Sequence, residues 1–166
     1  MRLNLCEIID MPGESLSFRC LLDTERLIVP AIKRFVSPPS AEGFIRNSAG
    51  ALTLTGEIKA ALLCSCDRCL KEFHCDKRVP VEAKLGTDPS DADNPEIFPL
   101  DGDWLDLGDL LETSFILGTE PKFLCREDCA GLCPGCGKRL EDGPCDCEKE
   151  IDPRLAVLGR LLDKKD

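Results

Sequence analysis

Hydrophobic and polar residues alternate most regularly in the middle of the chain. In ALTLTGEIKAAL, Leu52, Leu54, Ile58, Ala60 and Leu62 fall on one face at period two, while Thr53, Thr55, Glu57 and Lys59 take the other. This predicts a half-buried strand over 51–63. EFHCDKRVPVEAKL repeats the pattern over 72–85, with Phe73, Cys75, Val79, Val81, Ala83 and Leu85 inward and only Lys77 out of step. Two strands so close in sequence should pair antiparallel, which leaves residues 64–72 as the connection and puts Cys66 and Cys69 at a hairpin tip. RLNLCEI and LSFRCLL alternate well enough for two more strands, with Pro12 and Gly13 marking the turn between them. DTERLIVPAIKRF predicts one or two helical turns from Asp23, because Pro30 stops a regular helix.

Beyond Gly86 the periodicity fades. Residues 86–103, GTDPSDADNPEIFPLDGD, are acidic and proline-rich and predict a surface loop. A helix follows over about 106–118, with Asp106 as N-cap and Leu107, Leu110, Leu111, Ser114 and Leu117 at helical spacing before Pro121. The last segment, DPRLAVLGRLLDKK, has Asp152 as cap, Pro153 at the first helical position and a Leu155, Leu158, Leu161, Leu162 stripe. The pattern as a whole predicts an α+β fold. A mostly antiparallel, partly closed sheet with a few short helices occupies 1–121, and a Cys-rich module with a C-terminal helix occupies 122–166.

Charge narrows the function. The 166 residues carry a net charge of −10, which opposes any bulk attraction to polyphosphate. The opening MRLNLCEIIDMPGESL has Glu7 and Asp10 where a secretory signal needs an uninterrupted apolar stretch, and no apolar run reaches the roughly 18 residues of a membrane span. The expected compartment is the cytoplasm, where thiols stay reduced and a cysteine cluster is better suited to metal or chemistry than to disulfides.

The cysteines then carry the chemistry. CREDCAGLCPGCGKRLEDGPCDC, residues 125–147, holds six of the twelve cysteines. Structural zinc takes four ligands in a tetrahedron, commonly as pairs from short turns. C-P-x-C-G makes such a turn, with Cys145 and Cys147 as the nearest second pair, so the preferred site is Cys133, Cys136, Cys145 and Cys147. Cys125 and Cys129 are two ligands short, as are Cys66 and Cys69; together they complete a second tetrahedron. A different partition groups Cys125, Cys129, Cys133 and Cys136. Zinc is the expected ion, and the spacing also suits iron. Two tetrathiolate zinc centres would each add −2 and carry the net charge from −10 to −14. Cys6, Cys20, Cys64 and Cys75 read as small apolar residues in or beside strands.

Catalytic equipment is thin. C-D-R-C could instead be a redox pair, with Arg68 lowering a thiolate pKa, but such pairs open a helix in a βαβ setting. His74, the one histidine, falls on the outward face of its strand, the acidic loop lacks any frame to tune its carboxylates, and no glycine-rich phosphate loop follows a strand. The expectation is a protein without enzymatic activity, with a cytosolic thiol–disulfide protein using Cys66 and Cys69 as the alternative.

CDRCLKEF on a hairpin, then DLGDLLE, PKFLCREDCAGLCPGCGKRLEDGPCDC and DPRLAVLGRLL, resembles the bacterial and plastid large ribosomal RNA subunit accumulation proteins, often called YceD-type, from about residue 50 to the end. The resemblance implies a non-enzymatic role in accumulation or processing of large-subunit ribosomal RNA and in assembly. Cys66, Arg68 and Cys69 match the hairpin motif, Glu112 the helix acid, and Cys125 to Cys147 a cysteine-rich form of the C-terminus. The partner expected from that role is ribosomal RNA or a basic ribosomal protein. RNA requires that Arg68, Lys71, Lys77, Arg78 and Lys84 segregate from Asp67, Glu72, Asp76 and Glu82; net charge favours the protein. No membrane and no small-molecule substrate is expected.

Overall fold

The computed structural model of the chain describes residues 1–86 and 94–147. Packing divides the described residues into two units, Met1–Asp67 with Lys71–Cys125, and Arg68–Leu70 with 126–147. The first unit holds a six-stranded sheet. Its order runs β2 (Ser15–Leu21), β4 (Ser40–Ser48), β5 (Ala51–Ser65), β6 (Glu72–Gly86), β7 (Ile97–Pro99), and β3 (Ile32–Phe35) adds to β5 beyond the end of β4. All pairs are antiparallel except β6 with β7. No pairing joins β2 to β7 among the described residues, so the sheet is open where partial closure was expected.

The long β5–β6 hairpin follows from its alternation. Leu52, Leu54, Ile58, Ala60, Leu62 and Cys64 of β5 and Val79, Val81 and Leu85 of β6 are buried on one face. Thr53, Thr55, Glu57 and Lys59 lie on the other. Lys77 points inward with the buried residues of β6 because it has partners there. Its Nζ sits 2.8 Å from Glu120 Oε2 and 5.4 Å from the Phe123 ring centroid, which satisfies the charge while the stem covers apolar surface.

The helix α2 (Leu107–Gly118) covers the buried face with Leu107, Leu110, Leu111 and Phe115, and Asp106 caps it by accepting from the Asp109 amide at 3.1 Å. Phe115, not Leu117, completes the stripe, since Leu117, two residues past Phe115, falls about 200° further around the helix and is exposed. Phe115 meets Phe35 at a 6.0 Å ring separation. Gly118 lies close against Val79, where an added Cβ would come within 2.4 Å of Cγ1.

Several N-terminal expectations are corrected. RLNLCEI gives only β1 (Arg2–Asn4), then α1 (Cys6–Ile9), because Asn4 Oδ1 accepts from the Cys6 amide at 2.9 Å and turns the chain. Pro12 and Gly13 do form a turn, but it leads from α1 into β2, and the flanking strands pair elsewhere, β1 with β8 (Trp104–Asp106) and β2 with β4. DTERLIVPAIKRF forms turns and then β3 in place of helical turns. β4 was not anticipated. Its inward positions are Ala41, Gly43, Ile45 and Asn47, and Gly43 pairs with Gly56 so closely beneath Phe18 that a Cβ on Gly43 would lie 2.3 Å from Thr55 O. Within 86–103, β7 gives Ile97–Pro99 a partner in β6, while 87–93 and the C-terminal helical segment lie outside the described residues.

Candidate metal centres

Two turns in the chain are built alike. In the first, Ser65 pairs with Glu72, the Cys66 amide donates to Lys71 O at 2.9 Å, and Leu70 has φ 59°. In the second, Leu132 bridges to Arg139, the Cys133 amide donates to Lys138 O at 2.8 Å, and Gly137 has φ 71°. Each is a C-x-x-C-x-K turn whose residue after the second cysteine is left-handed. This folding follows from the chemistry of the first sulfur: the chain must wrap tightly enough to aim amides at it. At Cys133 the amide of Cys136, the Cys145 thiol and the Gly135 amide all donate to Sγ, the last at 3.4 Å, and together they hold the Cys133 thiol down at about 6. Cys147, donating into the same cluster, is pushed up to about 12. Like charges this close cannot all ionise unless a cation joins them.

The chain brings its cysteines together in two foursomes. The sulfurs of Cys133, Cys136, Cys145 and Cys147 all lie within 4.8 Å of one another, and so do those of Cys66, Cys69, Cys125 and Cys129. Four thiolates about 2.3 Å from one ion stand about 3.8 Å apart in a tetrahedron, so both sets match the size and donor chemistry of a soft-metal site. Cys133 and Cys145 stand 3.1 Å apart, beyond the about 2.05 Å of a disulfide. The grouping of Cys125 and Cys129 with Cys133 and Cys136 does not occur. The two sets differ in access: Cys66, Cys69 and Cys129 are buried, whereas Cys136 and Cys147 are exposed.

The other four cysteines fall outside both sets. Cys64 is buried between strands, and burial, followed by the neighbouring Cys75, pushes its thiol up to about 11, which makes it a weak nucleophile. Burial likewise raises Cys75 and Cys20. Cys6 is exposed at the start of α1.

The candidate surface residues scatter. Arg68 turns onto the chain itself, where Nη1 donates to Glu127 O at 3.1 Å and Cys129 O at 3.0 Å. Lys77 is inward and paired to Glu120. Lys71, Arg78 and Lys84 are exposed, but Asp76 and Glu82 share the outward face of β6 with Arg78 and Lys84. Glu112 is buried on α2, its Oε2 3.0 Å from Arg26 Nε. His74 is exposed on β6. Residue patterns gave no hint of Asp67, which accepts from the Phe123 amide at 2.7 Å and returns its own amide to Phe123 O at 2.9 Å. Arg139, whose Nε donates to Cys69 O at 3.2 Å, was equally hidden. In these bonds the partners include backbone groups, which no side-chain motif advertises.

An open sheet whose long hairpin ends in a C-x-x-C turn, with the same turn repeated downstream, defines a class of thiolate-knuckle proteins. Residues 54–162 match the model of the large ribosomal RNA subunit accumulation protein YceD, and the chain belongs to that family. It is also similar to uncharacterized proteins of Mycobacterium tuberculosis and Mycobacterium bovis, 34% identical over 122 residues, which are 71% of this chain and 59% of each relative. The chain therefore spans less than two thirds of the length of these relatives. No solved structure matches it. Among the described residues, no helix is long and apolar enough to cross a membrane.

Proposed function

We propose that the chain is a non-enzymatic, zinc-stabilised factor that supports accumulation of large-subunit ribosomal RNA by holding a basic ribosomal protein during assembly. The observation that carries this reading is the family match over 54–162. The charge layout supports the choice of partner. Of the basic residues around the hairpin, Arg68 and Lys77 are spent on internal contacts, and Arg78 and Lys84 alternate with Asp76 and Glu82. A chain of net charge −10 with no segregated basic face on that strand fits a cationic protein better than an RNA backbone. Zinc is the ion that all-thiolate tetrahedra most commonly hold. The convergence of Cys66 and Cys69 with Cys125 and Cys129 favours a structural site over a redox pair. Activity is expected in the cytoplasm.

The test is depletion of the protein with measurement of large- against small-subunit ribosomal RNA, alongside capture of purified large-subunit proteins and of naked ribosomal RNA at rising salt. A lowered ratio with salt-resistant capture of a basic protein supports the reading. An unchanged ratio, together with disulfide reduction abolished by Cys66→Ser, would replace it with the thiol–disulfide alternative. Capture of RNA alone would move the partner to nucleic acid.

A further inference from the structure

We propose that Arg68 and Arg139 are positioning residues for the centre formed by Cys66, Cys69, Cys125 and Cys129, each clamping the backbone of a ligand cysteine. The inference rests on the metal-binding reading above. Arg68 lies between the two cysteines of its own turn, and its guanidinium reaches two carbonyls of the loop that carries Cys129, those of Glu127 and of Cys129 itself. Arg139 does the same for the other ligand, donating from Nε to the carbonyl of Cys69. Both ligands in the second unit thus have their carbonyls taken by a guanidinium.

The packing around Arg68 is built for this. Gly131, at φ 79°, passes so close that a Cβ there would sit 3.2 Å from Arg68 O and 3.6 Å from Arg68 Cβ. The Cys129 loop is therefore closed down onto the arginine by a residue without a side chain. Arg126 braces the same loop through Asp128 at 3.2 Å and Glu141 at 2.8 Å.

Two physical effects follow. A planar guanidinium bonding two carbonyls fixes the loop in one orientation, so the Cys129 sulfur need not be ordered when metal binds. Two fixed positive charges also stand beside a centre that four thiolates and one divalent ion leave at −2. A lysine at position 68 keeps the charge but offers a point donor, so it should restore only part of the effect.

The experiment uses the full chain loaded with zinc and, in parallel, with cobalt. Metal release to an excess of a chromogenic chelator and the cobalt d–d absorption are measured for the parent, Arg68→Ala, Arg68→Lys, Arg139→Gln and the surface control Arg78→Ala. Arg68→Ala and Arg139→Gln should each speed release from one centre by about 10- to 100-fold and shift the cobalt bands. Arg68→Lys should fall between, and Arg78→Ala should match the parent. Release rates and spectra within twofold of the parent in both arginine variants overturn the proposal. So does equal loss of stability in apo and loaded protein with release unchanged, which marks ordinary packing. If Arg68→Ala does not fold, Arg68→Lys and Arg139→Gln decide by the same criteria. A parent that carries no metal sinks the underlying metal reading, whereas bound metal with unchanged release sinks only the role of the arginines.

Discussion

Leu70 occupies a left-handed conformation that its counterpart in the second turn, Gly137, adopts without cost. A side chain there crowds the following carbonyl, at about 1–2 kcal/mol, and Leu70 recovers little by burial, since it is exposed. Replacing it with glycine relieves that strain but loosens the unfolded chain by about 0.4–1 kcal/mol. Leu70→Gly should therefore stabilise the metal-loaded protein by about 0.5–1 kcal/mol, and Gly137→Leu should destabilise it, both read from urea midpoints. A midpoint for Leu70→Gly below that of the parent would mean that its side chain makes a contact worth more than the strain. Glu112 is a second residue whose surroundings set its role. Its carboxylate is buried and its cation, Arg26, half exposed, so Arg26→Met leaves an unpaired buried charge and should cost about 2 kcal/mol in the same assay.

At the scale of elements, α2 depends on its first turn. The Asp109 amide, and behind it the chain's amino terminus, hold the Asp106 carboxyl below the usual carboxylate range. A depressed folded pKa stabilises the protein above the unfolded value of about 3.9 and loses that contribution as pH falls through the folded value. Asp106→Ala should cost about 1 kcal/mol at pH 7 and less as pH falls through the folded pKa, whereas Asp106→Asn should keep the cap and lose the pH dependence. Which elements the sequence announced depends on what sits at their inward positions. β5 and β6 were legible because those positions are nearly all aliphatic, and the one exception, Lys77, has its partners in a segment some forty residues away. β4 was not, because a glycine and an asparagine stand inward, each fixed by a long-range contact: Gly43 by Phe18, Asn47 by the Ile8 carbonyl at 2.8 Å. The pairings of β1 with β8 and β2 with β4 are choices of tertiary packing, which local alternation does not encode. The cysteine foursomes were readable from spacing because thiolates are the ligands themselves; the arginines behind them were not, because what they hold is backbone.

At the scale of the molecule, the two units differ in what holds them. The sheet unit has a core of aliphatic and aromatic side chains running from Leu5 to Phe123, while residues 126–147 have only Cys129 and Cys133 among the buried apolar set. In a segment so poor in core, metal-binding free energy is folding free energy. Chelation should therefore expose 126–147 to protease while emission from Trp104, the single tryptophan, stays near its loaded value. Simultaneous loss of both signals would show that the sheet also depends on the ion. Acid should release the metal as well, because each ligand must give up a proton to bind. Arg139 gives this dependence a direction. It closes the second turn by pairing with Leu132, and the same residue holds the carbonyl of Cys69 in the first foursome. Filling the centre at Cys133 orders that turn, so the ordering of Arg139 is already complete when the next ion arrives at the Cys69 centre. Metal uptake by the apo chain should thus be positively cooperative, by linkage through a shared ordered element. In a cobalt titration, Arg139→Ala should turn a steepened curve into two independent isotherms.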